Sequence, residues 1–371
     1  LTLRNLELDV ERHSKYVSNG ISLRATPVSS SVGAAEILIE DLELSGMRRG
    51  IRLRDSDAVT IRSLSMSVQE PFDLREVGRV VLEDNSLVAQ ESCIWLDQGQ
   101  HATGETVIQN NTCSVADNAT PIRVATPSEG GSEERSIRVV DNVVDWQFSY
   151  PGADAIQCRL SDGETELTVA RNDLQMAGNA GIDVYLAPPS GTRQTAPVRI
   201  RNNVIRDIRD RSYGVRLDGV ELFDDVTIVN NTMRLRPSTK PYSWEHPGAV
   251  GLETRDYSFS GAVQVTLANN LVTTTDAGTP VDYGVESVDG QLEIVSKSNL
   301  FYGVDTVYHS VTASAPGDIV GSAPQTRGPL LELDATSPAV DAGDCGLAPA
   351  SDFGGVSRPQ GSGCDIGAHE R

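Results

Sequence analysis

Six residues carry the chemistry open to this chain: Arg159, Asp183, Tyr185, Arg216, Asp218 and Glu253. They recur at the same two places of a short phrase, seen as "DAIQCRL" (154–160), "AGIDVYL" (180–186), "YGVRLDG" (213–219) and "AVGLETR" (249–255). Guanidinium groups, carboxylates and a phenol placed on one face allow three chemistries. Arg159 or Arg216 could neutralise a uronate carboxylate while Tyr185 moves a proton, which is β-elimination. Asp183 and Asp218 could act as acid and base on a glycosidic bond, and a one-coil diagonal offset of roughly 8 Å between them is compatible with inversion. Asp218 with Glu253 offers the oxygen ligands that calcium takes; no other cofactor is implied.

These residues need a scaffold that repeats. The phrase itself returns, as small residue, apolar, variable, apolar, from "NGISLRA" (19–25) and "RGIRLRD" (49–55) to "YGVESVD" (283–289). Between its copies stands a second phrase, "VIQNNTC" (107–113), "VVDNVV" (139–144), "TVARNDL" (168–174), "VRIRNNVIRDI" (198–208), "TIVNNTM" (227–233) and "TLANNLV" (266–272). Intervals run from about 21 to 39 residues, and such internal periodicity is the mark of stacked repeats. Alternation over so few residues reads as a strand with one face buried, so each repeat is expected to be two short strands with a bend between them. Asparagine suits the bend: it tolerates left-handed backbone, and its amide both donates and accepts, so stacked asparagines can bond along the coil axis. The expected fold is an all-β, right-handed parallel β-helix of ten or eleven coils over 1–310, with a capped, irregular C-terminal region over 311–371.

In such a coil the two variable positions point to solvent, and parallel stacking aligns them about 4.8 Å apart. One outward column reads Ser22, Arg52, Asp73, Trp95, Arg123, Gln157, Asp183, Arg216, Gly251, Glu286. The other reads Arg24, Arg54, Arg75, Asp97, Ala125, Arg159, Tyr185, Asp218, Glu253, Asp289. Arg24, Arg54 and Arg75 in line repel one another unless an anion or a neighbouring carboxylate offsets them, which makes them candidate contacts to an anionic polymer. The competing reading is a solvated face with Asp55, Asp57, Asp73 and Glu76 as counter-ions. The longest polar insertion, "RPSTKPYSWEHPG" (236–248), brings Tyr242 and Trp244, which could stack on a sugar.

Composition narrows the partners. With Lys+Arg 31 against Asp+Glu 52 the net charge is -21, which disfavours nucleic-acid or anionic-membrane binding. Aromatic residues are 5% of the chain, fewer than one large globular core would need but enough for a Val/Ile/Leu column. No apolar run reaches the roughly 20 residues of a membrane span. Residue 1 falls directly in strand-like sequence, so an upstream segment is expected to precede it. Cys345 and Cys364 flank a glycine-rich loop with little else to hold it, and a disulfide between them is expected, as in an oxidising compartment. Cys113 and Cys158, at apolar positions, read as small core residues. No C-x-x-C spacing suggests zinc.

The repeat form resembles the right-handed parallel β-helix proteins, among them pectate lyases and polygalacturonases, although the NTD, GHG and RIK motifs of the latter are absent. "CIWLDQG" (93–99) is faintly similar to a pectate lyase strand, with Gln98 where that family has His. "SPAVDAGD" (337–344) with "DFGGVSRPQGSGCDIGAHE" (352–370) resembles the C-terminal signature of secreted bacterial β-helix proteins of the choice-of-anchor Q type. That resemblance implies secretion or cell-surface display, and no defined reaction. The segment is expected to cover the last rung. The resulting expectation is a monomeric, carbohydrate-active protein, a polysaccharide lyase or glycoside hydrolase acting on a cell-surface or other extracellular, acidic glycan. The alternative is a non-catalytic adhesive scaffold.

Overall fold

The structure is a computed structural model. It describes 2–4, 7–9 and 19–24 as backbone, and 36–371 apart from 100–103, 117–118, 128–134, 147–152, 162, 176–178, 187–192, 209–212, 238–247, 255–260, 277–278 and 289. Among the described residues it is a parallel β-helix, with strands gathered into a 21-stranded and a 12-stranded sheet and one short antiparallel pair, Thr326–Arg327 with Glu332–Leu333. No described helix is long and apolar enough to cross a membrane.

From Ile94 onward the coils have three strands, not two, while at Arg49–Arg62 and Glu70–Glu83 the third strand runs on into the first of the next coil. The asparagine phrase is itself strand, corner and strand. In one coil these are Arg135–Val140, Val143–Trp146 and Asp154–Leu160, and in the next Thr165–Ala170, Asp173–Gln175 and Ala180–Leu186. The first and third strands of each coil belong to the large sheet and the second to the smaller one. Alternation alone did not reveal this, because a two-residue corner leaves the apolar spacing of a single bent strand. Pairing continues past residue 310 through Val311–Ser314 and Ile319–Val320 before the irregular segment starts.

The two asparagines of the corner divide the labour. The first position takes the left-handed backbone, as at Asn110 (φ 53), Asp141 (φ 58), Arg171 (φ 53) and Asn202 (φ 54). The second position points inward and builds a ladder from Asn85 through Asn111, Asn142, Asn172, Asn203, Asn231 and Asn270 to Asn299. Each amide donates to the next side-chain oxygen at 2.8–3.0 Å and to a carbonyl of the preceding coil, and Asp318 ends the row by accepting from the Asn299 backbone at 2.8 Å. Buried corners thus keep every polar group partnered.

Inside, like residues stack. Ile94, Ile122, Ile156, Ile182, Val215, Val250 and Val285 align coil on coil and are buried. The small residue before this column is required by close packing against the second strand and the next coil: a Cβ on Gly214 would meet Met233 at 2.5 Å and the Ala249 carbonyl at 2.8 Å. Cys158 is a core residue of the adjoining column, and burial pushes its thiol up to about 12, so it is unreactive. Cys113, by contrast, is no bare core residue: it bridges to Cys93 across the interior. Both are fully buried, so an apolar pattern hides their pairing. The Cys345–Cys364 disulfide is present as expected. Mass mapping without reduction should find these two pairs, with Cys158 alkylated only after unfolding; any other pairing contradicts the fold.

The C-terminal segment lies along the flank of the coils instead of over the last rung. Asn202 donates to the Ser351 carbonyl (2.7 Å), Asn230 to those of Asp365 and Gly367 (3.0 and 3.1 Å), and Asn269 to that of Asp344 (3.0 Å). Leu331 and Ala368 cover Val204, while Leu333, Ala339 and Ile366 cover Leu271 and Leu300. Doubled asparagines at 202–203, 230–231 and 269–270 therefore serve both inside and outside. The residues resembling the secreted-protein signature make this segment's own buried network: Arg358 pairs with Glu370 at 2.9 Å, Glu370 accepts from the Asp365 backbone, and Asp352 accepts from the Glu370 backbone.

Candidate functional site

The outward columns stand in the register read from the sequence, because strand pairing leaves no slip between these coils. Ser22, Arg52, Asp73, Trp95, Arg123, Gln157, Asp183, Arg216, Gly251 and Glu286 are successive partners on the third strands. Arg24, Arg54, Arg75, Asp97, Ala125, Arg159, Tyr185, Asp218 and Glu253 follow in the second column. The second column was expected to end on Asp289, but pairing of Leu252 with Ser287 sets the exposed Val288 after Glu253, one residue earlier, because the last phrase lacks the spacing assumed for it. Asp289, Tyr242 and Trp244 lie outside the described residues, and Ser22 and Arg24 are described as backbone only.

Asp183 is one coil and one column away from Asp218. It is buried, accepts from Arg216 Nε at 2.8 Å and from Gln157 Nε2 at 3.2 Å. Burial works against the Arg216 charge, but the hydrogen bond and charge of Asp183 outweigh it, and the guanidinium holds its proton more tightly than usual. Glu253 stands 4.0 Å from the other end of Arg216. Arg159 lies over the Tyr185 ring, 5.6 Å from its centroid, a cation–π placement that turns the guanidinium toward the ring face. Asp218 pairs in register between Tyr185 and Glu253 and is partly exposed. Among the described residues no group of three or more His, Cys, Asp or Glu is arranged to hold a metal.

Two groups escaped the sequence reading. Asp154 begins the strand of Gln157 and Arg159 and is buried; Gln157 Nε2 donates to its Oδ2 at 3.0 Å, and Asn179 to its Oδ1 at 3.4 Å. Burial, then the negative charge of Asp183, push its carboxyl up to about 7, and Arg216 only partly opposes them. It was missed because Ala155 and Ile156 are both buried, so strict alternation breaks between Asp154 and Gln157. Tyr213 is the other. Its hydroxyl donates to Glu286 Oε2 at 2.7 Å across the intervening coil, and burial, then Glu286, hold its proton in place. Gly251 makes the crossing possible, since a Cβ there would sit 2.8 Å from the Tyr213 ring. The signal was available in the sequence: glycine stands between the charged Arg216 and Glu286 in this column.

The raised Asp154 carboxyl has a consequence for stability. Folding increases its affinity for a proton, so its contribution is whole below about pH 4 and is lost as pH rises through about 7. The Asp154→Asn variant should lose that slope. Its melting temperature should fall less than that of the parent between pH 4 and 7 and exceed it at pH 8. Parallel melting profiles would show that the carboxyl is not held protonated.

The chain matches no protein-family model, no curated protein and no solved structure.

Proposed function

We propose that this is a secreted carbohydrate-active protein whose third face binds an extracellular glycan and hydrolyses a glycosidic bond. The observation that carries the reading is the split between two neighbouring carboxyls. Asp154 is pushed up to about 7 and suits the general acid, while Asp183, salt-bridged to Arg216, suits the nucleophile or base. Both accept from one Gln157 amide, which keeps them closer than the roughly 6.5–9.5 Å of inverting enzymes and favours retention. Elimination draws less support, because the charge of Arg216 is already neutralised by Asp183 and Arg159 is engaged with the Tyr185 ring. The likeness of 337–344 and 352–370 to secreted β-helix proteins, together with two disulfides, supports the extracellular setting.

A second reading, the non-catalytic scaffold, draws on the low exposure of Asp154 (3%) and Asp183 (1%), which would make the same cluster an internal electrostatic clamp. A polysaccharide panel separates the two when scored for new reducing ends and, separately, for ultraviolet-absorbing unsaturated ends. Hydrolysis gives the first without the second. Asp154→Asn and Asp183→Asn should each lower kcat by about 10²–10⁴ with the β-sheet circular dichroism retained. Full rates in both variants would place the reaction away from this pair, and no product from any polymer would leave the scaffold reading.

A further inference from the structure

Before Asp183 the two outward columns hold Arg24, Arg52, Arg54, Arg75, Arg123 and Arg159 against only Asp73 and Asp97, a local excess of positive charge that the hydrolytic cluster does not use. Asp73, only 2% exposed, accepts from Arg75 Nε at 2.6 Å and lies 3.3 Å from Arg52 and 3.9 Å from Arg49. One carboxylate therefore answers three guanidinium groups. Arg54 stands directly between Arg24 and Arg75 in the neighbouring column. The Nε atoms of Arg52, Arg54 and Arg123 are buried and have no hydrogen-bond partner, and neither has Asp73 Oδ2. Trp95 takes Arg75 from the coil before it at 5.3 Å and Arg123 from the coil after it at 4.4 Å, and its indole N–H is fixed by Asp97 at 2.9 Å. Beside the indole is a cavity of about 140 Å³, bordered by Arg49, Asp73, Arg75 and Trp95, with Glu70 and Glu91 on its acidic side. Glu70 is neutralised by Arg49 at 2.6 Å, and burial, then a hydrogen bond with Glu70, raises the proton affinity of Glu91.

We infer that this patch is an oxyanion subsite, taking a carboxylate or sulfate ester carried by the glycan, with Arg52, Arg54 and Arg123 as cationic contacts around the rigid Trp95. The inference rests on the proposal that this face takes a glycan, and it adds that the glycan is acidic. Aligned guanidinium groups repel one another, and a multivalent oxygen anion held by their outer nitrogens is the chemistry that offsets this, the buried Nε atoms being out of its reach. The cavity beside the indole is bordered by none of Arg52, Arg54 and Arg123 and carries three carboxylates, so the anion's place is over the outward arginines and not inside it. Trp95, Arg123, Gln157 and Asp183 are consecutive in one column, so patch and carboxyl pair lie about 14 Å apart along the axis, within reach of one extended polymer. A net charge of -21 repels polyanions from the rest of the molecule, so retention by one would report this patch and not general attraction.

Affinity electrophoresis at low salt tests the inference, in gels holding polygalacturonate, dextran sulfate or unsubstituted dextran. The intact protein should be retarded by polygalacturonate or dextran sulfate and not by dextran; whichever anionic polymer retards it identifies the oxyanion. The double variant Arg54→Gln/Arg123→Gln should bind about tenfold more weakly, and Arg138→Gln/Arg193→Gln, the same charge change at exposed pairs with Glu105 and Asp224, should bind like the parent. Equal retardation of parent and double variant, equal retardation by dextran, or no retardation in either anionic gel would overturn the subsite. Binding is read without turnover. Retention without hydrolysis would sink the cleavage proposal and keep the subsite, while cleavage of neutral glycans without retention would do the reverse.

Discussion

Asn203→Ala is expected to destabilise the protein by about 4 kcal/mol, a large loss for one polar side chain remote from the surface. The side chain sits mid-ladder and fully buried. Its amide donates to the Val169 carbonyl at 3.0 Å and to Asn231 Oδ1 at 2.9 Å, and its oxygen accepts from both the backbone and the amide of Asn172 at 3.0 and 2.9 Å. Alanine leaves those groups bare where each costs about 1–3 kcal/mol, and water entering the vacated corner recovers part of the loss. Asn203→Asp is sharper still. It keeps the acceptor but aims a carboxylate at the Val169 carbonyl and Asn231 Oδ1, so the loss at neutral pH should exceed that of alanine and shrink as pH falls, reaching its least below about pH 4, where the carboxyl is protonated in folded and unfolded chains alike. Urea denaturation at pH 7 and pH 3.5 measures both. A change below about 1 kcal/mol for alanine would mean that the ladder is ornamental.

Arg358→Met should cost about 3–5 kcal/mol, with the loss concentrated in the C-terminal segment. The guanidinium and the Glu370 carboxylate are both buried, at 1% and 0% exposure, 2.9 Å apart. Arg358 also donates to the carbonyls of Gly367 and Ala368 at 3.1 Å and to Asn202 Oδ1 at 3.2 Å, so one side chain ties the segment to itself and to the coil. Methionine fills much of the volume but leaves Glu370 as an uncompensated buried charge. Limited proteolysis should then cut within 321–371 in the variant under conditions that spare the parent, and Arg358→Met/Glu370→Met should regain part of the stability. Equal protease resistance in parent and single variant would refute the ion pair as the segment's anchor.

How far the sequence spoke depended on whether a residue's place is set by period or by long-range contact. Arg159, Asp183, Tyr185, Arg216, Asp218 and Glu253 lie in their anticipated columns because parallel pairing copies the apolar spacing from coil to coil. Their partners were not legible. Whether Arg216 meets a substrate or Asp183 is decided by side-chain reach between coils, and the structure gives 2.8 Å to Asp183. Asp154 was hidden by a two-residue break in alternation, and the Cys93–Cys113 bridge by the equivalence of a buried cysteine and any small apolar residue. The course of the C-terminal segment was hidden most deeply, since Asn202 looks like any other corner asparagine until Ser351 arrives beside it.

That arrival is late. Ser351 follows Asn202 by 149 positions and Asp365 follows Asn230 by 135. A ribosome adding about 5–20 residues per second leaves the flank open for on the order of ten seconds after these coils have emerged. Each new coil can form on the edge of the one before it, yet Val204 and Leu271, fully covered in the finished molecule, face solvent through that interval. The growing chain therefore has a temporary sticky side, and its hazard during synthesis is lateral association of two half-made solenoids.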